Sequence, residues 1–136
     1  MLLYLSTNTR PDISFAVSQV CRYGADPKKS HASAVKTLLR YLKGTADKGM
    51  IIRPTKGDLR LDMYVDADYA GLHDYEDSRD PNSVRSRTGY ITVLGGWPIV
   101  WKSQLQTCTV LSTLEAEYVA LSSASLSPTL SLEAPQ

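Results

Sequence analysis

Residues 59–66 read LRLDMYVD, and apolar and polar side chains alternate there one by one. Apolar residues hold the odd positions from Leu59 to Val65, whereas the even positions from Arg60 to Asp66 carry charges or a tyrosine hydroxyl. This period of two is typical of a strand with one buried face. Apolar residues upstream recur with a period near 3.6 residues. This stretch therefore predicts where a helical segment ends and a sheet begins.

The segment before the strand predicts two helices. Pro11 and Asp12 suit a first helical turn, and Ser30 can cap a second helix that ends near Gly44. The first apolar face is Ile13, Ala16, Val17, Val20 and Cys21, and the second is Val35, Leu38, Leu39 and Leu42. The two faces need a partner, which is either each other or a segment further upstream.

Downstream of the first strand, two more strands and a helix are predicted. Tyr90–Leu94 and Pro98–Lys102 flank Gly95-Gly96, a dipeptide that favours a hairpin turn. Thr113 to Ser125 is predicted to be a helix. Three strands and a helix after a helical start predict an α+β fold, in which an antiparallel three-stranded sheet and one helix follow a helical hairpin. The predicted divisions are a helical segment at 1–45, a connector at 46–58, a sheet domain at 59–126 and an irregular tail at 127–136.

Charge is distributed unevenly along the 136 residues. The first 60 residues carry 11 Lys and Arg against 4 Asp, and the remainder carries 4 Lys and Arg against 10 Asp and Glu. A basic part joined to an acidic part suits a protein that holds a polyanion with one and metal ions with the other. Two ordinary solvated surfaces are the alternative. Lys36, Arg40 and Lys43 share one helical face, which is either a phosphate-binding stripe or a solvated face.

Composition argues against membrane insertion and secretion. No apolar run approaches the ~18 residues that a spanning helix needs, and the start MLLYLSTNTRPD lacks a basic leader. Cys21 and Cys108 are the only cysteines, too few for a disulfide framework. We therefore expect an intracellular protein in a reducing compartment.

Two groups of carboxylates are candidates for chemistry. Asp66 and Asp68, at the end of the first strand, share a face if the strand extends that far, although acids at strand ends often only begin turns. In the last helix, Ser112 and Glu115 fit a capping box. Glu117 is predicted to lie on the inward face with Ala120, Leu121 and Ala124, where a carboxylate is costly unless it is paired or bound to metal.

Asp66 and Glu117 converge if the strand packs against the helix. Carboxylates that hold two divalent ions can support phosphodiester hydrolysis, but such a site normally needs more than two acids. A third is not evident, because Glu133 is the only acid after Glu117.

Five blocks resemble, in order, the C-terminal region of copia-type retrotransposon Pol polyproteins. They are YLSTNTRPDISFAV, HASAVKTLLRYLKGT, YVDADYAG, SRTGYITVLGGWPIVWKS and VLSTLEAEYVALS. The resemblance implies that residues 2–45 correspond to the end of a reverse transcriptase and that a ribonuclease H domain begins near residue 59.

The resemblance also implies a function and its residues. The family cuts RNA in RNA–DNA hybrids with Mg²⁺, and its motifs put metal-ligand carboxylates at Asp66 and Glu117. The expected partners are an RNA–DNA hybrid and the remainder of the polyprotein. The strand with the family's third aspartate has no counterpart in this sequence. Three readings therefore stay open, namely a metal-dependent nuclease, a non-catalytic remnant, and a nucleic-acid-binding module that uses Lys36, Arg40 and Lys43.

Overall fold

The computed structural model describes residues 1–52, 59–71 and 82–127. Its helices are α1 (Leu2–Asn8), α2 (Ser14–Cys21), α3 (Lys29–Gly44) and α4 (Thr113–Ser125), with a 3₁₀ turn at Pro11–Ile13. The strands are β1 (Leu61–Asp68), β2 (Arg87–Leu94) and β3 (Trp97–Leu105). They form one antiparallel sheet in the order β1-β2-β3. The predicted α+β class is confirmed.

Several predicted boundaries match and others shift. The range of α4 agrees with the prediction, and Gly95 and Gly96 form the β2–β3 turn with φ values of 56° and 89°. Each strand is longer than predicted or displaced by two residues. Within the predicted connector, Met50–Ile52 form no strand. Residues 53–58, 72–81 and 128–136, which include part of the predicted connector and most of the predicted tail, lie outside the described residues.

Backbone contacts divide the chain into two compact units. Unit 1 comprises Met1–Asp62 and Thr92–Ser103, and unit 2 comprises Met63–Ile91 and Gln104–Gln136. Unit 1 therefore combines the N-terminal helices with parts of the sheet strands. The predicted divisions at residues 45 and 59 concern the parent protein and stay predictions.

Three helices, rather than the two that were predicted, form the helical core of unit 1. Ile13, Val17 and Leu38 are buried together, and Leu2, Leu5, Ala16 and Leu42 pack against them. The partner required by the two predicted apolar faces is thus supplied partly by α1. Sequence analysis missed α1, because seven residues are too few to form a helix without tertiary contacts.

Polar side chains join the start of α2 to the end of α3. The Arg10 guanidinium donates to both Asp12 oxygens at 2.8 and 2.9 Å, and it donates to Thr45 Oγ1 at 2.8 Å. The Tyr41 hydroxyl donates to Asp12 Oδ2 at 2.8 Å. The hydrogen bonds to Asp12 lower its pKa from the usual 3.8 to about 2, and the bond from Arg10 has the largest effect.

The predicted cap of α3 is wrong. The helix begins at Lys29, and the backbone N–H of Lys28 donates to His31 Nδ1 at 3.1 Å. His31 also stacks on Tyr23, with ring centroids 4.1 Å apart. A side chain three residues after the N-cap therefore satisfies an N-terminal backbone donor, and Ser30 lies inside the first turn.

Gln106 is the central polar residue of unit 2. It is 3% exposed, and its backbone N–H donates to the Ser86 carbonyl at 2.9 Å. Its Nε2 donates to Thr88 Oγ1 on β2 at 3.1 Å and to the Ala116 carbonyl on α4 at 2.9 Å. One side chain therefore connects strand and helix.

Small residues allow α4 to approach the sheet closely. Ala116, Ala120 and Ala124 are at most 2% exposed and lie four residues apart on one helical face. On β2, Thr88 and Tyr90 are buried, and the Tyr90 hydroxyl donates to Ser127 Oγ at 3.0 Å. No helix among the described residues is long and apolar enough to cross a membrane.

We predict that Asp12→Asn removes a pH-dependent stabilisation. The folded pKa of Asp12 is below its unfolded value, so the carboxylate stabilises the fold above about pH 4 and this contribution is lost as pH falls towards 2. Urea unfolding from pH 2 to 7 should show wild type and variant converging at the acid end. Asp47→Asn, at an exposed position, is the control. The prediction would be contradicted if the free energies of unfolding of wild type and Asp12→Asn differed by the same amount at every pH.

We also predict that Gln106→Met lowers the free energy of unfolding by about 2 kcal/mol. Methionine has a similar length but no N–H, so Thr88 and the buried Ala116 carbonyl lose a donor. Gln104 is a half-buried glutamine nearby, and Gln104→Met is the control. It should lower the free energy of unfolding clearly less. Equal denaturant midpoints for the two variants would show that the Gln106 hydrogen bonds are not important.

Candidate functional site

The basic stripe on α3 is accessible to a ligand. Lys36, Arg40 and Lys43 are all exposed, and helical geometry places them within about 60° of each other around the axis. The buried Leu38 lies on the other side of the helix. The helix sequence, KSHASAVKTLLRYLKG, contains no acid, and the stripe makes no ion pair with any described residue. Three cations therefore face solvent without neutralisation by α3 itself.

Two carboxylates lie exposed at the C-terminal end of β1, and the apolar face that was predicted to be buried is itself exposed at Leu61 and Met63. Asp66 and Asp68 are exposed and alternate with the half-buried Val65 and Ala67. The strand extends to Asp68, so the condition for Asp66 and Asp68 to share a face is met.

The N-terminus of α4 is capped as predicted, with one change. Ser112 Oγ accepts from the backbone N–H of Glu115 at 3.2 Å. Glu115 Oε2 accepts from the Leu111 N–H at 2.8 Å, one residue before the cap. Glu115 thus has the structural role that the sequence indicated.

The predicted inward position of Glu117 is wrong. The buried face of α4 is Ala116, Ala120 and Ala124, whereas Glu117 and Leu121 are exposed. Adjacent helical residues are about 100° apart, so burial of Ala116 turns Glu117 away from the core. Glu117 therefore has no burial for a metal to offset, and its carboxylate is accessible.

Glu117 lines a cavity of about 210 Å³ within unit 2. The other lining residues are Val65, Leu114, Tyr118 and Leu121. Val65 points into this cavity from β1, and its neighbour Asp66 does not line it. Since successive strand residues face opposite sides, the structure does not bring the Asp66 carboxylate into the cavity beside Glu117. The pairing of the two as metal ligands stays a prediction.

The described residues do not by themselves fit a divalent metal. Across residues 1–52, 59–71 and 82–127, no group of three or more His, Cys, Asp or Glu side chains is placed to hold an ion. Oxygen-coordinated Mg²⁺ usually retains waters and needs few protein ligands, but a two-metal site needs several carboxylates. Any such site would require further residues.

The turn after β1 is tightly constrained. Ala70 has a φ of 46°, and its N–H lies 3.4 Å from Ser86 Oγ. The Asp68 carboxylate lies directly against Gly71, so a Cβ at residue 71 would overlap it. Backbone and side-chain packing therefore fix the direction in which the chain leaves the acidic strand end.

Sequence analysis missed the apolar wall of the cavity. Leu114, Tyr118 and Leu121 are spaced i, i+4, i+7, and each is at least 49% exposed. That spacing was visible as a second apolar face of α4. It was overlooked because the alanine face lies on the same helix and only the fold shows which face is buried.

The relatives of this chain include long transposon polyproteins and shorter proteins. The chain is 43% identical over 88% of its length to the retrovirus-related Pol polyprotein from transposon TNT 1-94 of Nicotiana tabacum. It is 42% identical over 86% of its length to the corresponding polyprotein from transposon RE2 of Arabidopsis thaliana. These relatives support a fragment of a retrotransposon Pol polyprotein. The chain spans only 8% and 7% of the first two polyproteins.

One relative is much shorter than these polyproteins. The secreted RxLR effector protein 161 of Plasmopara viticola is 38% identical over 90% of this chain and 80% of its own length. No family model matches the chain, and no solved structure matches it. The relation to Pol polyproteins therefore depends on sequence relatives alone, and the predicted ribonuclease H-like fold has no structural neighbour to support it.

We predict that Gly71→Ala destabilises unit 2 by less than the about 1–3 kcal/mol of overpacking in a packed core, because the atoms that a Cβ would overlap belong to the end of the exposed Asp68 side chain, which can turn aside. If this clash is the cause, Gly71→Ala should cost much less in an Asp68→Ala background. Ala70→Gly is the control, since glycine accepts a positive φ readily, and it should be neutral or slightly stabilising. An equal cost of Gly71→Ala in both backgrounds, measured by denaturant unfolding, would exclude the clash.

Proposed function

We propose that this chain is a nucleic-acid-binding part of a copia-type Pol polyprotein, spanning the end of the reverse transcriptase and the start of a ribonuclease H domain. The observation that carries the proposal is the exposed stripe of Lys36, Arg40 and Lys43 on a helix without acids. Phosphate binding by such side chains releases counterions and gives affinity that falls steeply with salt. The Pol relatives support this ligand class.

For the parent polyprotein we propose Mg²⁺-dependent hydrolysis of RNA in RNA–DNA hybrids. Asp66 and Glu117 are its candidate ligands in this chain, and both carboxylates are exposed within unit 2. Asp66 and Glu117 would hold divalent ions, which would supply activation of water and stabilisation of the leaving oxygen. Since the described carboxylates do not form a complete site, we expect no cleavage by this chain alone.

The basic stripe can be tested by fluorescence anisotropy with a labelled RNA–DNA hybrid. Changing Lys36, Arg40 and Lys43 together to Gln should weaken binding and reduce the slope of log K against log salt by about 2–3. The matched control changes Lys28, Lys48 and Lys102, which are exposed elsewhere. If the two triple variants lose the same affinity, net charge rather than the stripe explains binding.

The metal role is tested by adding Mg²⁺ to the same assay at constant ionic strength. Ions held by Asp66 and Glu117 beside a phosphate should strengthen hybrid binding, whereas screening alone weakens it. Asp66→Asn and Glu117→Gln should abolish the increase, and the controls Asp62→Asn and Glu115→Gln should retain it. Weakening by Mg²⁺ in every protein would reject the metal site without affecting the result for the stripe.

A further inference from the structure

One hydrogen bond connects α1 with β3, across 95 residues of sequence. The indole Nε1–H of Trp101 donates to the Ser6 carbonyl at 2.6 Å. Both residues belong to unit 1, and Ser6 is 2% exposed. The segment predicted to end a reverse transcriptase is therefore in contact with a strand of the sheet segment.

Trp101 satisfies a carbonyl that α1 itself leaves without a donor. The last four carbonyls of a helix lack intrahelical partners. At the end of α1 the Leu5 carbonyl accepts from the N–H groups of Thr9 and Arg10 at 3.1 and 2.8 Å. The Ser6 carbonyl is the next one along, and Trp101 donates to it. A buried carbonyl without a donor costs as much as a lost hydrogen bond or more.

The contact matters for the whole helical segment because α1 is short. A seven-residue helix does not persist without tertiary contacts. Leu2 and Leu5 of α1 pack on the core of Ile13, Val17 and Leu38. Loss of α1 would expose that core, so the indole of β3 stabilises α2 and α3 through α1.

We propose that β3 and the N-terminal helices form a non-covalent interface, centred on the Trp101 indole and the Ser6 carbonyl, that holds residues 1–52 to the sheet segment even when the connecting chain is cut. The partner of β3 is thus an apolar helical segment of the same polypeptide with a free helix-terminal carbonyl. Cleavage in the predicted connector at 46–58 would then not release the reverse-transcriptase end from the sheet.

The test places a specific protease site at residues 54–57 of the full chain and compares gel filtration before and after cutting. Wild-type fragments should elute together at low micromolar concentration. Trp101→Phe keeps an aromatic ring but removes the donor, so its cut fragments should bind about tenfold more weakly. Trp97→Phe is the matched control, since the Trp97 indole makes no hydrogen bond to a described residue.

The control also provides a second measurement. The chain has two tryptophans, so Trp97→Phe leaves Trp101 as the only one. Its emission should stay blue-shifted after cutting and move to the red only when the fragments are separated by denaturant. Separation of the wild-type fragments at once would overturn the proposal. Equal affinities for cut Trp101→Phe and cut Trp97→Phe would show that the indole–carbonyl hydrogen bond does not hold them.

Discussion

The packing of unit 2 depends on the burial of the Gln106 amide. Its Nε2 donates to Thr88 and to the carbonyl of Ala116, so it satisfies polar groups on a strand and on a helix. Ala116, Ala120 and Ala124 bring the α4 backbone close enough for one glutamine side chain to reach both. Buried polar groups are costly without partners, so the bond from Gln106 Nε2 to the Ala116 carbonyl favours the observed rotation of α4 about its own axis, although Gln106 Oε1 accepts no hydrogen bond from a described residue.

The rotation of α4 determines what the candidate site can do. With Ala116 turned inward, Glu117 is exposed and borders a cavity with Tyr118 and Val65. The carboxylates of Asp66 and Asp68 lie exposed at the C-terminal end of β1. Glu117 and the β1 acids are therefore accessible, but they do not line one cavity. A phosphate-binding role for α3 does not depend on these carboxylates.

Unit 1 is stabilised by a different set of polar contacts around a small apolar core. The carboxylate of Asp12 accepts from Arg10 and Tyr41, and thereby joins the 3₁₀ turn at the start of α2 to the last turns of α3. No local pattern of sequence indicates that Arg10 and Tyr41 donate to the same carboxylate. Since exposed ion pairs are individually weak, the network acts mainly by fixing the register between helices whose burial supplies the stability.

The sequence by itself determined the features that are set by neighbouring residues. The alternation at 59–66 predicted β1, Gly95-Gly96 predicted the hairpin, and Ser112 with Glu115 predicted the start of α4, because period, turn and cap are local properties of the backbone. The exposed stripe on α3 was likewise predictable from spacing. Only the tertiary structure decided that α1 forms and that Glu117 faces solvent. Trp101 bonds to the Ser6 carbonyl of α1, and Gln106 bonds to the Ala116 carbonyl of α4. Each contact joins different elements, and no local pattern of sequence encodes such contacts.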